Sequence, residues 1–203
     1  MIGLTISSQT TGVEPVSVDD LKEHLRIDST ASGGTTAEDA LLGLYIETAR
    51  SQAEEITKRS LIPTQWELRL DSFGASAIEL PRGTPLSTTD FEITYTKTTG
   101  DSTTVPSTSY VVETWAEPGR VRLDYERSWP EDLQPTEGSV VISYRSGYST
   151  AGTACPEPIK HWIKMRAGQM YEFREPLISG TIVTNLAHDY VDGLLDPYRL
   201  PSV

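Results

Sequence analysis

The first third of the chain has the hydrophobic period of α-helices. The residues Ser17-Val18-Asp19-Asp20 have the form of a capping box. In that motif a hydroxyl and a carboxylate satisfy the first free backbone N–H groups of a helix. A short helix is therefore predicted to run from here to about Asp28, and a second one from about Ala37 to Lys58, where apolar residues recur at steps of three and four. The first 60 residues are predicted to be helical.

Between Gln65 and about Arg145 the period changes from 3.6 to 2, which is typical of half-buried β-strands. Turns rich in Gly and Pro separate about six short segments of this kind. The predicted strands lie near residues 66–71, 77–80, 91–95, 110–112, 120–124 and 140–144. Short strands with tight connections predict an antiparallel β-meander, in the form of either a small barrel or a sandwich.

The helical period returns after residue 150. Pro156 or Pro158 is predicted to occupy the first turn of a third helix, which ends near Arg174, and a final short helix is predicted over about Asn185 to Leu195. The chain is thus predicted to have an α+β fold, a small helical bundle formed by N- and C-terminal helices with an inserted antiparallel β-meander. The predicted segments, packed as one compact unit, are 1–62, 63–150 and 151–203.

Charge and composition narrow the class of protein. The 203 residues include 17 basic and 29 acidic ones, a net charge of −12. This acidity argues against a general nucleic-acid-binding protein, which needs clustered Lys and Arg. Cys155 is the single cysteine of the sequence, so an intrachain disulfide is excluded. The sequence contains no apolar stretch of membrane-spanning length and no signal peptide pattern, so we expect a cytosolic protein without a membrane partner.

The sequence offers few candidates for chemistry. His24 and His161 are predicted to be surface or packing residues rather than metal ligands. His188 and Asp189 with Asp192 form the nearest approach to an acid–base cluster, but one such pair is common. We therefore predict no catalytic residue, no metal site and no cofactor. The four tryptophans, at positions 66, 115, 129 and 162, are predicted to be core residues or interface anchors, because no basic stripe accompanies them.

Several short motifs recur in a fixed order along the chain. They include Glu14-Pro15-Val16-Ser17, the segments 21–28 and 57–62, Gln65-Trp66, Trp129-Pro130, Pro158-Ile159-Lys160 and Pro197-Tyr198-Arg199. This ordered set resembles the head–tail connector (head-completion adaptor) family of long-tailed double-stranded-DNA phages, prophages and gene-transfer agents. The resemblance extends from Glu14 to Arg199 and is weakest over 29–35 and 86–128.

The resemblance implies a structural virion protein without enzymatic activity or cofactor. Such an adaptor forms a ring, usually of twelve copies, beneath the portal protein. It completes the head and offers a docking surface to the next neck or tail-completion protein. DNA is then cargo in the channel, and assembly takes place in the host cytoplasm. Another neck ring protein, such as a tail terminator, is the alternative, and a small hydrolase that uses His188, Asp189 and Asp192 is a weaker one.

The resemblance also implies where a partner binds, since the C-terminal segment of such adaptors reaches toward the portal. Leu195, Pro197, Tyr198 and Arg199 are therefore the expected portal-contact residues. A rigid Pro, an amphipathic Tyr and an Arg with several donors suit an interface. The alternative, in which Pro197 and Tyr198 pack onto the chain's own helices, stays open from the sequence alone.

Overall fold

A computed structural model of the chain describes residues 3–10, 13–27, 36–74, 77–148, 154–173 and 192–201. The described residues have an α+β fold with three α-helices and antiparallel sheets. They divide into two compact units. The first comprises the described residues of Met1–Val13, Lys58–Ala151 and Leu200–Val203, and the second those of Glu14–Thr57 and Gly152–Arg199. The division of the chain into segments 1–62, 63–150 and 151–203 stays a prediction.

The first unit contains eight strands among its described residues. Their bounds are β1 Gly3–Gln9, β2 Thr64–Leu70, β3 Ile78–Leu80, β4 Glu92–Thr96, β5 Ser102–Thr104, β6 Tyr110–Glu113, β7 Gly119–Leu123 and β8 Val140–Ser146. Five strands form one antiparallel sheet in the order β1-β2-β8-β4-β5, and three form a second in the order β3-β7-β6. A short 3-10 helix, Ser107–Ser109, precedes β6.

One hydrophobic core serves both sheets. The strict alternation of β2 and β8 sends every second side chain inward, so that Leu68 and Ile142, which are partners across the strands, are both buried. Ile78, Leu80 and Val121 of the second sheet join the same cluster. Burial on one face only is what the period of two predicts.

Three features differ from the strand prediction. Residues 3–9 form strand β1 instead of part of a helical region, and β5 lies in a segment where no strand is expected from the sequence. The larger sheet inserts β8 between β2 and β4, so its neighbours are not consecutive as in a simple meander. Across the described residues both sheets are open, so the small barrel is wrong as a description of this region.

The second unit contains the helices α1 Val18–Leu25, α2 Thr36–Thr57 and α3 Glu157–Glu172, each of which contacts the other two. The predicted capping box is present, with the Ser17 hydroxyl accepting from the Asp20 N–H at 3.0 Å and the Asp20 carboxylate accepting from the Ser17 N–H at 3.1 Å. α3 begins after Pro156, as predicted. None of the helices in the described residues is long and apolar enough to cross a lipid bilayer.

The remaining helix boundaries lie partly outside the described residues. The predicted end of the third helix near Arg174 and most of the predicted helix over 185–195 fall in the range 174–191. Within the described residues, Asp196–Tyr198 forms a 3-10 helix.

Candidate functional site

The C-terminal segment predicted to contact a portal protein belongs to the second unit. Leu195 is fully buried, and its backbone N–H donates to the carbonyl of Asp192 at 2.9 Å. Beyond it, the side chains of Pro197 and Arg199 are exposed and that of Tyr198 is half-buried. Leu195 therefore anchors this segment in the second unit. Pro197, Tyr198 and Arg199 present a surface.

Two polar contacts hold the same segment. The indole N–H of the buried Trp162 donates to Asp192 Oδ1 at 3.0 Å, and Arg199 Nε lies 3.0 Å from Asp196 Oδ1. Asp192 thus fixes the C-terminal segment to α3. His188 and Asp189, its partners in the weaker hydrolase alternative, lie outside the described residues. The role that the structure assigns to Asp192 is structural.

Packing of α1 against α3 brings His24 and His161 together. Their ring centroids are 6.0 Å apart and the rings are perpendicular. Partial desolvation lowers the pKa of His24, whose side chain is exposed, and the nearby charges of His161 and Lys164 lower it further. The two histidines are 137 positions apart in sequence, so no local pattern predicts the pair. Across the described residues, no group of three or more His, Cys, Asp or Glu side chains is arranged to hold a metal ion.

The thiol of Cys155 is buried. Burial raises its pKa to about 12, because the thiolate would lose its hydration. At neutral pH the group is a protonated thiol with little nucleophilic character. It acts as a small apolar residue.

A charged network crosses the second unit at Arg50, whose side chain is only 4% exposed. Arg50 Nε donates to Glu14 Oε2 at 2.8 Å, and Arg50 Nη1 donates to Glu54 Oε2 at 2.7 Å. Burial raises the pKa of Glu14, and the neighbouring Arg50 opposes that effect. Arg50 binds one oxygen of each carboxylate, so the network joins Glu14 to α2 as a structural element.

The turn between β6 and β7 carries an exposed aromatic side chain. Trp115 is 72% exposed, whereas Trp66 and Trp162 are buried and Trp129 stacks on Phe73 with ring centroids 4.6 Å apart. Three of the four tryptophans therefore pack within the chain. Trp115 is left as the candidate interface anchor among them.

Two side chains brace this turn. Thr84 Oγ1 donates to the carbonyl of Ala116 at 3.1 Å, and the Arg59 guanidinium binds both carboxylate oxygens of Glu117, at 3.0 and 2.5 Å. The hydrogen bonds from Arg59 lower the pKa of Glu117. The turn is further confined at Gly119, where an added Cβ would lie 2.6 Å from Pro85 Cδ.

The outer face of the three-stranded sheet carries acidic and basic side chains whose charges balance. Arg120 Nη2 lies 3.2 Å from Glu79 Oε1, and Arg122 Nε lies 2.7 Å from Glu113 Oε1. Each carboxylate is matched by a guanidinium on a neighbouring strand. This face therefore carries no net charge in a chain whose net charge is −12.

A groove of about 670 Å³ lies in the first unit. Its lining combines three buried apolar or aromatic residues, Phe91, Val105 and Tyr110, with polar side chains that include Asp90 and Glu92. Burial and the charge of Glu92 raise the pKa of Tyr110. The groove has space for a large aromatic side chain, and its carboxylates can accept a hydrogen bond.

Comparison with known proteins gives two kinds of match. Residues 15–110 match the family of phage gp6-like head–tail connector proteins. No curated protein matches the chain. The family match includes part of 86–128, the stretch where the motifs are sparse.

Three solved structures share the fold over nearly the whole chain. A chain from the neck of an empty gene transfer agent particle, computed with C6 symmetry, is 23% identical with a TM-score of 0.78, over 99% of this chain and 97% of that one. A chain from the virion of a native gene transfer agent particle is 22% identical, with a TM-score of 0.75 over 98% and 96%.

The third chain comes from the neck of a native gene transfer agent particle computed with C12 symmetry. It is 21% identical, with a TM-score of 0.71 over 97% of this chain and 96% of that one. These likenesses show that the fold is shared. The match of residues 15–110 to the phage gp6-like head–tail connector family confirms the resemblance inferred from the ordered motifs.

Proposed function

We propose that this chain is a structural head–tail connector of a virion neck. The observation that carries the proposal is the match of residues 15–110 to the connector family, supported by a fold shared from end to end with chains of gene transfer agent particles. That family is one of structural proteins, so the chain acts by assembly and not by catalysis.

In this proposal the chain forms a ring in the neck. Two of the similar structures are necks computed with C6 and C12 symmetry, which supports a ring of twelve copies here. A ring requires heterologous contacts, in which one surface of a copy binds a different surface of the next. Assembly takes place in the host cytoplasm, before the particle is complete.

The parts of the chain have separate roles in this arrangement. Helices α1, α2 and α3 supply a helical bundle, and strands β1 to β8 supply the β region. The C-terminal segment faces the portal protein through Pro197, Tyr198 and Arg199, and another face receives the downstream neck or tail-completion protein. Part of the acidity lines the channel, where it repels the phosphate backbone so that DNA passes without binding.

The direct test is deletion of the chain from a particle-producing strain. We expect packaged heads without tails and loss of DNA from the heads, both restored when the chain is supplied from a plasmid. Electron microscopy of particles and nuclease protection of packaged DNA provide the readouts. Tailed, DNA-filled particles in the deletion strain would contradict the proposed function.

The predicted portal surface is tested by Arg199→Glu, which reverses a charge on an exposed side chain. We expect the variant to co-purify with portal rings at roughly a tenth of the wild-type yield or less, since central interface arginines often contribute this much. Arg127→Glu, which reverses an exposed charge in the first unit, is the matched control and is expected to keep the wild-type yield. Equal yields for both variants would remove Arg199 from the interface.

A further inference from the structure

The turn at Trp115 combines exposure with rigidity. A tryptophan that is 72% exposed is held on a backbone fixed by Thr84, by the two hydrogen bonds from Arg59 and by the close packing at Gly119. A rigidly presented aromatic side chain loses little conformational entropy when it binds, which is why tryptophan is common at the centres of interfaces. The geometry of this turn thus favours a binding role for Trp115.

The charge pattern beside the turn indicates what kind of partner can approach. Every copy of this chain carries a charge of −12, so two copies repel each other over most of their surfaces. The pairs Glu79–Arg120 and Glu113–Arg122 and the pair Arg59–Glu117 neutralise the carboxylates that flank the turn. A second copy of the chain therefore meets less repulsion at Trp115 than a net charge of −12 would give on average.

The same unit contains a groove that a tryptophan can enter. It measures about 670 Å³ and has Phe91, Val105 and Tyr110 in its lining, while Asp90 and Glu92 offer acceptors for an indole N–H. Tyr110 begins β6, Glu113 ends it and Trp115 lies in the turn two residues later, so about 15 Å of chain separates Tyr110 from Trp115. Trp115 therefore cannot fill the groove of its own copy.

We propose that Trp115 of one copy inserts into the groove beside Tyr110 of the next copy. Trp115 and the groove lie at opposite ends of β6, so the contact joins two different surfaces of neighbouring copies. Such a heterologous contact repeats from copy to copy, as a closed ring requires. The inference rests on the proposed connector function and adds the contact that links neighbouring subunits.

The contact is tested by site-specific photocross-linking. A Trp115→p-benzoylphenylalanine variant is prepared as an equimolar mixture of isotopically light and heavy chains. It is irradiated both as concentrated purified protein and within assembled particles, and then analysed by mass spectrometry. We expect cross-links between light and heavy chains that join position 115 to the segment 89–110. Cross-links to other segments, to a different neck protein, or none at all would overturn the inference.

A substitution gives a second, independent readout. Trp115→Ala is expected to weaken self-association measured by analytical ultracentrifugation by roughly tenfold or more. Tyr125→Ala is the matched control, because Tyr125 is an aromatic residue of the same unit that is 83% exposed and lies outside the turn. Thermal unfolding of both variants is compared with the wild type, and unchanged unfolding with unchanged association for Trp115→Ala would contradict the proposal.

The connector function and the contact at Trp115 can be refuted separately. Absence of the wild-type chain from purified particles would refute the connector function. A chain that is present in particles but yields no cross-link from position 115 to the groove would refute only the contact proposed here.

Discussion

A single guanidinium, that of Arg50, joins the chain before α1 to the long helix α2. Its side chain is almost completely buried, and it binds Glu14 and Glu54 through separate nitrogens. Removing one partner of a buried ion pair leaves a charge without compensation in a medium of low polarity. The stability of the helical unit is therefore sensitive to this residue.

We predict that Arg50→Ala lowers the free energy of unfolding by about 3–5 kcal/mol, because Glu14 and Glu54 both lose their guanidinium. Urea unfolding followed by circular dichroism measures the change. Arg69→Ala is the matched control, since Arg69 pairs with Glu67 at 3.0 Å with half of its side chain exposed. Its expected effect is below about 1 kcal/mol. Similar losses for the two variants would contradict a special role for the buried pair.

At the residue scale, the sequence predicts contacts that are local. The Ser17–Asp20 capping box spans three positions and is present as expected. The Arg50–Glu14 pair joins residues 36 positions apart. Such a contact depends on how the elements pack, and packing leaves no periodic signal in the sequence.

Between elements, the contact of α1 with α3 places two imidazoles side by side. Partial desolvation, with His161 and Lys164 nearby, makes His24 harder to protonate in the folded chain than in the unfolded one. The folded pKa lies below the unfolded value near 6.5, so the unfolded state takes up the proton first as the pH falls. The stabilising contribution is complete above pH 6.5 and is lost as the pH falls through the folded pKa.

We predict that His24→Gln reduces the loss of stability that the wild-type chain shows between pH 7.5 and about pH 5.5. Urea midpoints at the two pH values, compared between variant and wild type, test this. The comparison cancels the contribution of carboxylates that titrate in both proteins. An identical difference in midpoint for variant and wild type would show that His24 does not contribute.

The elements themselves differ in how readily the sequence reveals them. α1, α3 and the strands near 66–71 and 140–144 are found close to their predicted positions, because each has a clear period and a local start or stop signal. β1 is missed because Gly3–Gln9 is largely exposed and its alternation is short, with only Leu4 and Ile6 as apolar positions. Its strand geometry comes from pairing with β2, more than 50 positions away.

At the scale of the whole molecule, the charge of −12 opposes association of identical copies. We predict that self-association of the purified chain strengthens between about 20 mM and about 300 mM NaCl, as the Debye length falls from roughly 20 to 6 Å. Sedimentation at matched protein concentrations measures the effect. Stronger association at the lower salt concentration would indicate that attractive charge pairs dominate the contact.

The function of the molecule is predictable from the sequence through the order of its motifs, not through any one residue. The motifs Pro15–Ser17 and 57–62 lie in the region that matches the connector family, and they flank α1 and α2. The exposure of Trp115 and the groove near Tyr110 depend on side-chain burial after folding. Neither could be predicted from the pattern of apolar and polar positions.

The pairing of β2 with β8 has a consequence for how the chain is made. β2 ends at Leu70, and its central partner begins at Val140, so the larger sheet stays incomplete until roughly three quarters of the chain has left the ribosome. Packing of α1 and α2 against α3 comes later still, because α3 begins at Glu157. During synthesis both units expose apolar surface at the same time, and such nascent chains are prone to aggregate. We therefore expect nascent chains of this connector to depend on chaperones until α3 has been synthesised.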